Sequence, residues 1–299
     1  MKIMPEMTST LNANDSISTM ATAPASSKVV TVIEPTQRWG VFDWQELWRA
    51  RELLYFLTWR DVKIRYKQTV LGVAWAVLQP ALLMVVFTLF FGRLHQAQPG
   101  DLPIPLFICA GILPWTFFAT GLTNAANSVV GAERMISKIY FPRLLLPLSS
   151  VGAALVDFAI AVGLLGVLML WYQVPPAVTI VLVPLVVLMI ACTAAGLGIL
   201  LAALNVNYRD FRYIIPFLIQ VGLFLTPNIY LSADLISPRM EQWLILNPMH
   251  ALVGGFRAAL LGMPISWISL LVALLISLTV FMLGVLYFRR VEGTFADNI

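Results

Sequence analysis

The sequence predicts an all-α integral membrane protein: six transmembrane helices, an N-terminal amphipathic helix at the interface, and two short re-entrant or interfacial helices on the outer side. Two observations carry that prediction. Of 299 residues, 60% are hydrophobic and only 11% are charged, with mean hydropathy +0.85. Soluble domains carry roughly 25% charged residues, so lipid has to solvate apolar surface that no core of this size absorbs. Second, apolar runs near the crossing length of about 20 residues recur at 69–91, 104–130, 148–171, 178–204, 214–231 and 266–288. The fifth is short and bounded by Pro216 and Pro227.

Ahead of the first run, residues 1–41 are rich in Ser, Thr, Ala and Pro and lack the apolar stretch of a signal peptide. They read as a disordered cytoplasmic tail. Residues 42–67 read as an amphipathic helix. Asp43 and Glu46 have the spacing of a capping box. Trp44, Leu47, Trp48, Tyr55, Trp59, Val62 and Tyr66 then recur at helical spacing. With Arg60, Lys63, Arg65 and Lys67 following, the segment suits a helix lying in the headgroup layer. A helix packed on protein from the soluble side fits the same pattern. Residues 68–290 form the membrane domain and 291–299 a second cytoplasmic tail.

Between the fifth and sixth runs, Ser237-Pro238 and Asn247-Pro248 each read as a helix start with Pro in the first turn. The second helix closes at Gly262. Both helices are too short to cross, and with Trp243, Phe256 and Met263 on them they read as re-entrant in the outer leaflet. Orientation follows from basic residues. One set of loops carries eleven: Arg60, Lys63, Arg65, Lys67, Arg134, Lys138, Arg143, Arg209, Arg212, Arg289 and Arg290. The opposite set carries three, Arg93, Arg239 and Arg257. The first set is expected in the cytoplasm with both termini.

The residues that could carry chemistry are few. No G-x-x-x-x-G-K-[ST] loop is present, so ATP binding of the usual kind is not expected. Cys109 and Cys192 lie in apolar runs and read as small core thiols. His95 and His250 fall in outer loops without metal-ligand spacing, so no metal is expected. Asp157 is the one acid within a span. Its cost in hydrocarbon leaves three readings: a polar point on a substrate path, a helix-pairing contact, or a hydrated position near the cytoplasmic end. Aromatic residues cluster as Trp75, as Phe87, Phe90 and Phe91, and as Trp115, Phe117 and Phe118. Such rings stack on the C–H faces of sugars and also anchor spans at interfaces. Ala191, Ala194, Ala195, Gly196 and Gly198 permit close helix packing, within a subunit or across a dimer. In the loop "GAERMISKIYFPRLLLP", Glu133 to Phe141 reads as a short charged helix ended by Pro142, projecting as a docking surface.

Five segments carry a family resemblance: "RDVKIRYKQTVLGVAWAVLQP" (60–80), "GILPWTFF" (111–118), "SKIYFPRLLLPLS" (137–149), "NVNYRDFRYIIPFLIQ" (205–220) and "LNPMHALVGGFRAALLG" (246–262). Together they resemble permease subunits of ABC type-2 polysaccharide exporters of the O-antigen and teichoic-acid type. The resemblance implies an inner-membrane homodimer paired with two separate ATPase subunits, which hold the ATP and Mg. It implies a polyprenyl-diphosphate-linked glycan as substrate, and no nucleic acid. The family's coupling helix falls on Glu133–Phe141, with Glu133, Arg134, Met135, Lys138, Tyr140 and Phe141 facing the ATPase. Its amphipathic gate helix falls on Asp43–Trp59. The outer gate helices fall on Pro238–Leu246 and Pro248–Leu261, with Trp243 and Phe256 as gate residues. Arg60, Lys63, Arg65 and Lys67 are expected where the lipid diphosphate comes in, although the positive-inside rule alone would also place them there. Trp75, Phe87, Phe90, Trp115, Phe118 and Asp157 are the expected conduit residues. Competing readings are the same architecture exporting a small hydrophobic compound, a lipid-linked sugar transferase, and an ion-coupled transporter. Only Glu133 and Asp210 are available as cytoplasmic carboxylates for the transferase, and the lone Asp157 argues against ion coupling.

Overall fold

The computed structural model describes residues 48–67, 72–95, 102–136, 138–139, 141–208, 210–231 and 237–295. Contacts divide the chain into Met1–Gly40 and Val41–Ile299, and the described residues all belong to the second unit. The proposed capping box at Asp43 and Glu46 lies outside them, as do Tyr140 and Arg209.

Among the described residues the regular elements are all helical. In chain order they are α1 (Arg51–Lys67), α2 (Ala74–His95), α3 (Ile104–Gly131), the single turn α4 (Glu133–Ile136), α5 (Leu145–Trp171), α6 (Val183–Asn207), α7 (Phe211–Phe224), α8 (Pro238–Leu244), α9 (Pro248–Leu261) and α10 (Trp267–Val291). Five are long and apolar enough to cross a membrane: α2, α3, α5, α6 preceded by a 3-10 turn at Val178–Leu182, and α10. The fifth expected span differs. α7 has 14 residues, about 21 Å of helix against a hydrocarbon core of about 30 Å. Pro227 lacks an N–H and disfavours helical geometry at Thr226. The chain therefore leaves the helix at Leu225 and makes a 3-10 turn over Pro227–Ile229.

α3 is the central helix, buried on nearly all sides, with α5 and α6 packed along it and α10 packed on α6. Small residues set these spacings. Gly121 lies against Ala154 and Ala194, at 3.7 and 3.6 Å from where a Cβ would stand. A Cβ on Gly198 would come within 2.5 Å of the Ala125 methyl, and one on Gly196 within 2.6 Å of the Phe281 backbone. The small-residue run thus serves packing inside the subunit. Across α6 and α10, Thr193 and Ser277 share a buried 2.7 Å hydrogen bond, a contact worth about 0.6 kcal/mol between membrane helices.

These pairs also fix chain direction. Thr193 meets Ser277 and Gly196 meets Phe281, so α6 and α10 run parallel. The chain therefore returns from one end of the bundle to the other between Asn207 and Trp267, and α7 with its 3-10 turn makes that passage.

Gly196→Val drives a branched side chain into backbone that cannot yield. It is expected to lower stability by about 2–3 kcal/mol, read as loss of folded protein on heating in detergent, whereas Gly163→Ala, with open space around it, should leave the midpoint unchanged.

Candidate functional site

Polar chemistry concentrates at the two ends of the bundle. At the end carrying α4, α1 lies across α5. Gly152 makes room for it, since a Cβ there would stand 3.1 Å from the Thr58 hydroxyl. Leu57 is buried in this contact, while Trp48, Tyr55, Phe56 and Trp59 remain exposed. Trp48, Tyr55 and Trp59 of the aromatic stripe are thus open, while Tyr66 further along it faces α5. The helix also continues past Trp59 to Lys67, so the four basic residues sit on it.

Their environments differ. Arg60 pairs with Asp61 at 2.8 Å and its Nη1 donates to Met135 Sδ at 3.5 Å. The Ser149 hydroxyl donates to Asp61 at 3.4 Å. Arg65 forms an ion pair with Asp157, and the Tyr66 hydroxyl donates to the other Asp157 oxygen. Burial pushes the Tyr66 phenol up, only partly offset by Arg65, so it remains a donor. The side chain of Asp157 is 18% exposed, which explains why the carboxylate persists in a span: both oxygens are satisfied by α1. Asp157 thus makes a contact between α1 and α5. Lys63 and Lys67 are exposed and remain available to an anionic headgroup.

The expected helix over Glu133–Phe141 is corrected to one turn, Glu133–Ile136. Pro142 disfavours helix at Phe141, and both Ile136 and Phe141 are buried against the bundle. The apolar residues that suggested a docking face are largely anchors, with Met135 half-buried beneath Arg60. Among the described residues of the segment, Glu133, Arg134, Lys138 and Ile139 are exposed. The Arg143 guanidinium donates to the Glu292 carbonyl and ties the loop to the end of α10.

The aromatic conduit residues separate into two sets. Phe87 and Trp115 line a cavity of about 130 Å³ together with Gln79, Thr116, Thr120 and Leu223. α7 closes it, with Gly222 letting its backbone approach the Trp115 ring to 3.0 Å from where a Cβ would stand. Phe118 is buried beneath, its ring 5.4 Å from that of Trp115. Trp75 and Phe90 are elsewhere, with Phe90 76% exposed on the unpartnered side of α2. Gln79, Thr116 and Thr120 were not singled out from sequence. The four-residue spacing of the two threonines was the available signal, since it puts both hydroxyls on one face.

At the opposite end, both proline-led helix starts are present. The Asn247 side chain accepts from Met249 N at 3.0 Å, and Gly262 closes α9 at φ +73°. Asn247 Nδ2 also donates to Leu225 O and to Thr226 Oγ1, each at 3.0 Å. Asn228 Nδ2 donates to the His250 carbonyl at 3.0 Å. Arg257, 4% exposed, stacks over Phe107 at 3.6 Å and donates to the carbonyls of Asn228 and Ile229. Gly111 is required there, because a Cβ would collide with both Arg257 and the Ile229 carbonyl. Burial pushes Arg257 down to about 9, so it stays charged at neutral pH. Burial, and then Arg257, push His250 down to about 4, so it is neutral. Trp243 is 75% exposed, whereas Phe256 is corrected from gate to core: it is 1% exposed with its ring against Phe158.

A bundle of long apolar helices with its charged contacts gathered at the two ends defines a multi-pass α-helical membrane protein. Residues 52–261 match the family described as ABC-2 type transporter, and the chain belongs to that family. It is 34% identical over 215 residues, 72% of this chain and 82% of the relative, to "O-antigen export system permease protein RfbA" of Myxococcus xanthus. It is 27% identical over 249 residues, 82% and 94% of the two chains, to the protein of that name from Klebsiella pneumoniae. With "Polysialic acid transport protein KpsM" of Escherichia coli it shares 24% over 242 residues, 78% and 91%.

Asp157→Asn removes the charge that holds Arg65 and is expected to cost about 2 kcal/mol. α1 should then lift from α5, seen as faster tryptic cleavage at Arg65 and Lys67. The exchange Arg65→Asp with Asp157→Arg should restore protection.

Proposed function

We propose that this chain is the membrane subunit of an ATP-driven exporter that moves a polyprenyl-diphosphate-linked polysaccharide, O-antigen or a related surface glycan, out of the cytoplasm. The observation that carries the reading is the match to O-antigen permeases over nearly their whole length. The chain works as a homodimer with two ATPase subunits, because its sequence has no phosphate-binding loop and energy has to arrive from a partner. Both termini are cytoplasmic and six crossings are made, the fifth by α7 and its 3-10 turn. The excess of basic residues at the α4 end supports that orientation.

Exposed Glu133, Arg134 and Lys138 form the contact with the ATPase. Motion imposed there reaches α1 through Arg60 and Met135, and α1 passes it to α5 through Asp61 and Asp157. Lys63 and Lys67 attract the lipid diphosphate, each worth about 1 kcal/mol near an anionic surface. The exposed apolar faces of α2, with Leu82, Val86, Leu89 and Phe90, and of α7, with Tyr213, Phe217 and Phe224, meet the second copy. The conduit forms between them, with the cavity at Phe87 and Trp115 on its wall. Threonine and glutamine there pair with sugar hydroxyls, and the rings pack on sugar C–H faces.

The decisive experiment deletes the gene and measures surface polysaccharide. Loss of the glycan, with lipid-linked polymer building up inside, is expected; a normal surface glycan with altered drug sensitivity would mean a small hydrophobic cargo. Two variants sharpen it. Glu133→Ala with Arg134→Ala and Lys138→Ala should abolish export and reduce co-purification of the ATPase at least tenfold. Lys63→Gln with Lys67→Gln should slow export several-fold while assembly stays intact.

A further inference from the structure

The end of the bundle opposite α4 holds a second cavity, of about 170 Å³, which the export mechanism above does not use. Its walls come from Phe107 of α3, Asn228 after α7, Glu241 of α8, His250 and Arg257 of α9, and the first turn of α10 at Ser269. We propose that this cavity is a saccharide subsite that holds one neutral, polyhydroxylated sugar ring of the exported glycan. The proposal rests on the export reading and adds a place where the cargo is recognised.

The chemistry of the wall selects the ligand. Arg257 is buried, and the ion pairs among the described residues do not include it. Its guanidinium reaches two carbonyls, yet among the described residues no acceptor meets its buried Nε. Asn228 Nδ2 lies 3.2 Å from His250 Nε2 while also donating to the His250 carbonyl. The ring nitrogen facing it therefore accepts, and the proton of the neutral ring sits on Nδ1, which likewise has no partner among the described residues. A buried donor without an acceptor costs about 1–3 kcal/mol, and both belong to side chains that line this cavity. The same lining holds an acceptor, the exposed Glu241, and a hydroxyl pair, Ser266 and Ser269 at 2.8 Å.

An anion in this space would meet Glu241, and a cation would meet Arg257. A neutral polyol offers hydroxyl oxygens to the arginine side and hydroxyl protons to the carboxylate, and so matches both. Met263, Pro264 and Leu270 supply the apolar wall for C–H faces. The volume equals that of about five or six liquid waters, room for one ring and not for a chain. The site also touches the pieces that would have to move, since Asn228 follows the end of α7 and His250 and Arg257 belong to α9.

The test uses the full-length chain in lipid nanodiscs and saturation-transfer NMR with a panel of neutral methyl hexosides, beside methyl glucuronide and inorganic phosphate. At least one neutral glycoside is expected to bind, with affinity at least tenfold weaker in Ser269→Phe, which fills the cavity. Glu241→Ala, on an exposed helix, should weaken binding several-fold and serves if the first variant fails to fold. No binding by any neutral glycoside, preference for glucuronide or phosphate, or unchanged binding in the variants would overturn the subsite. Surface-glycan export by the wild-type chain is measured in parallel. Export without sugar binding sinks the subsite and leaves the export reading standing, whereas loss of both removes the reading beneath it.

Discussion

Where α7 stops, its last carbonyls lose their helical partners, and much of the molecule is arranged around that fact. Lipid offers no hydrogen bonds, so a broken helix at membrane depth survives only if protein groups complete it. Here the donors are side chains: Thr226 bonds to the Gly222 carbonyl, Asn247 to Leu225, and Arg257 to Asn228 and Ile229. Meeting that demand places α9 against the break, buries an arginine that has no acid partner among the described residues, and requires glycine at position 111. The cavity at this end of the bundle is the space left beside that arrangement. The same contacts bind the end of α7 to α9, so the two should move as one body if the conduit opens.

The opposite end solves a different problem. A carboxylate within a span is tolerable when it is paired and otherwise drives local rearrangement. Asp157 is paired by α1, so the interfacial helix is held to α5 by charge as well as by close contact at Gly152. Because Arg60 also touches Met135, the α4 turn, α1 and α5 share one contiguous junction. A push on the exposed part of the α4 segment has a physical route into the bundle that runs through α1 before it reaches the spans.

Between these ends, the bundle depends on close approach and little polarity. Backbone contacts at Gly196 and Gly284, with alanine-lined contacts around Gly121 and Gly198, bring α3, α6 and α10 to distances that larger side chains would forbid. Without a hydrophobic driving force inside lipid, such packing is the main source of cohesion between spans. The helices with the least internal packing, α2 and α7, are the ones whose aromatic faces remain open.

Much of this was legible in the sequence because it follows from local constraints. The number of apolar runs, the proline-led starts of α8 and α9, the glycine that closes α9 and the polarity of the loops all come from what lipid and backbone geometry permit. Family membership was legible from five short segments. What sequence could not reveal was pairing across the fold. Glu133 to Phe141 looked like a helix presenting apolar residues outward. Only packing decided that Ile136 and Phe141 turn in, that Phe256 is core, and that Arg65 belongs to Asp157 some ninety residues away. The length of α7 fell between the two kinds of knowledge: Pro227 announced a break, but whether the chain still crosses depended on the parallel course of α6 and α10. Composition and periodicity specify which faces want burial. Which partner buries them is decided by three-dimensional contact, because a side chain's energy depends on neighbours that the chain order does not name.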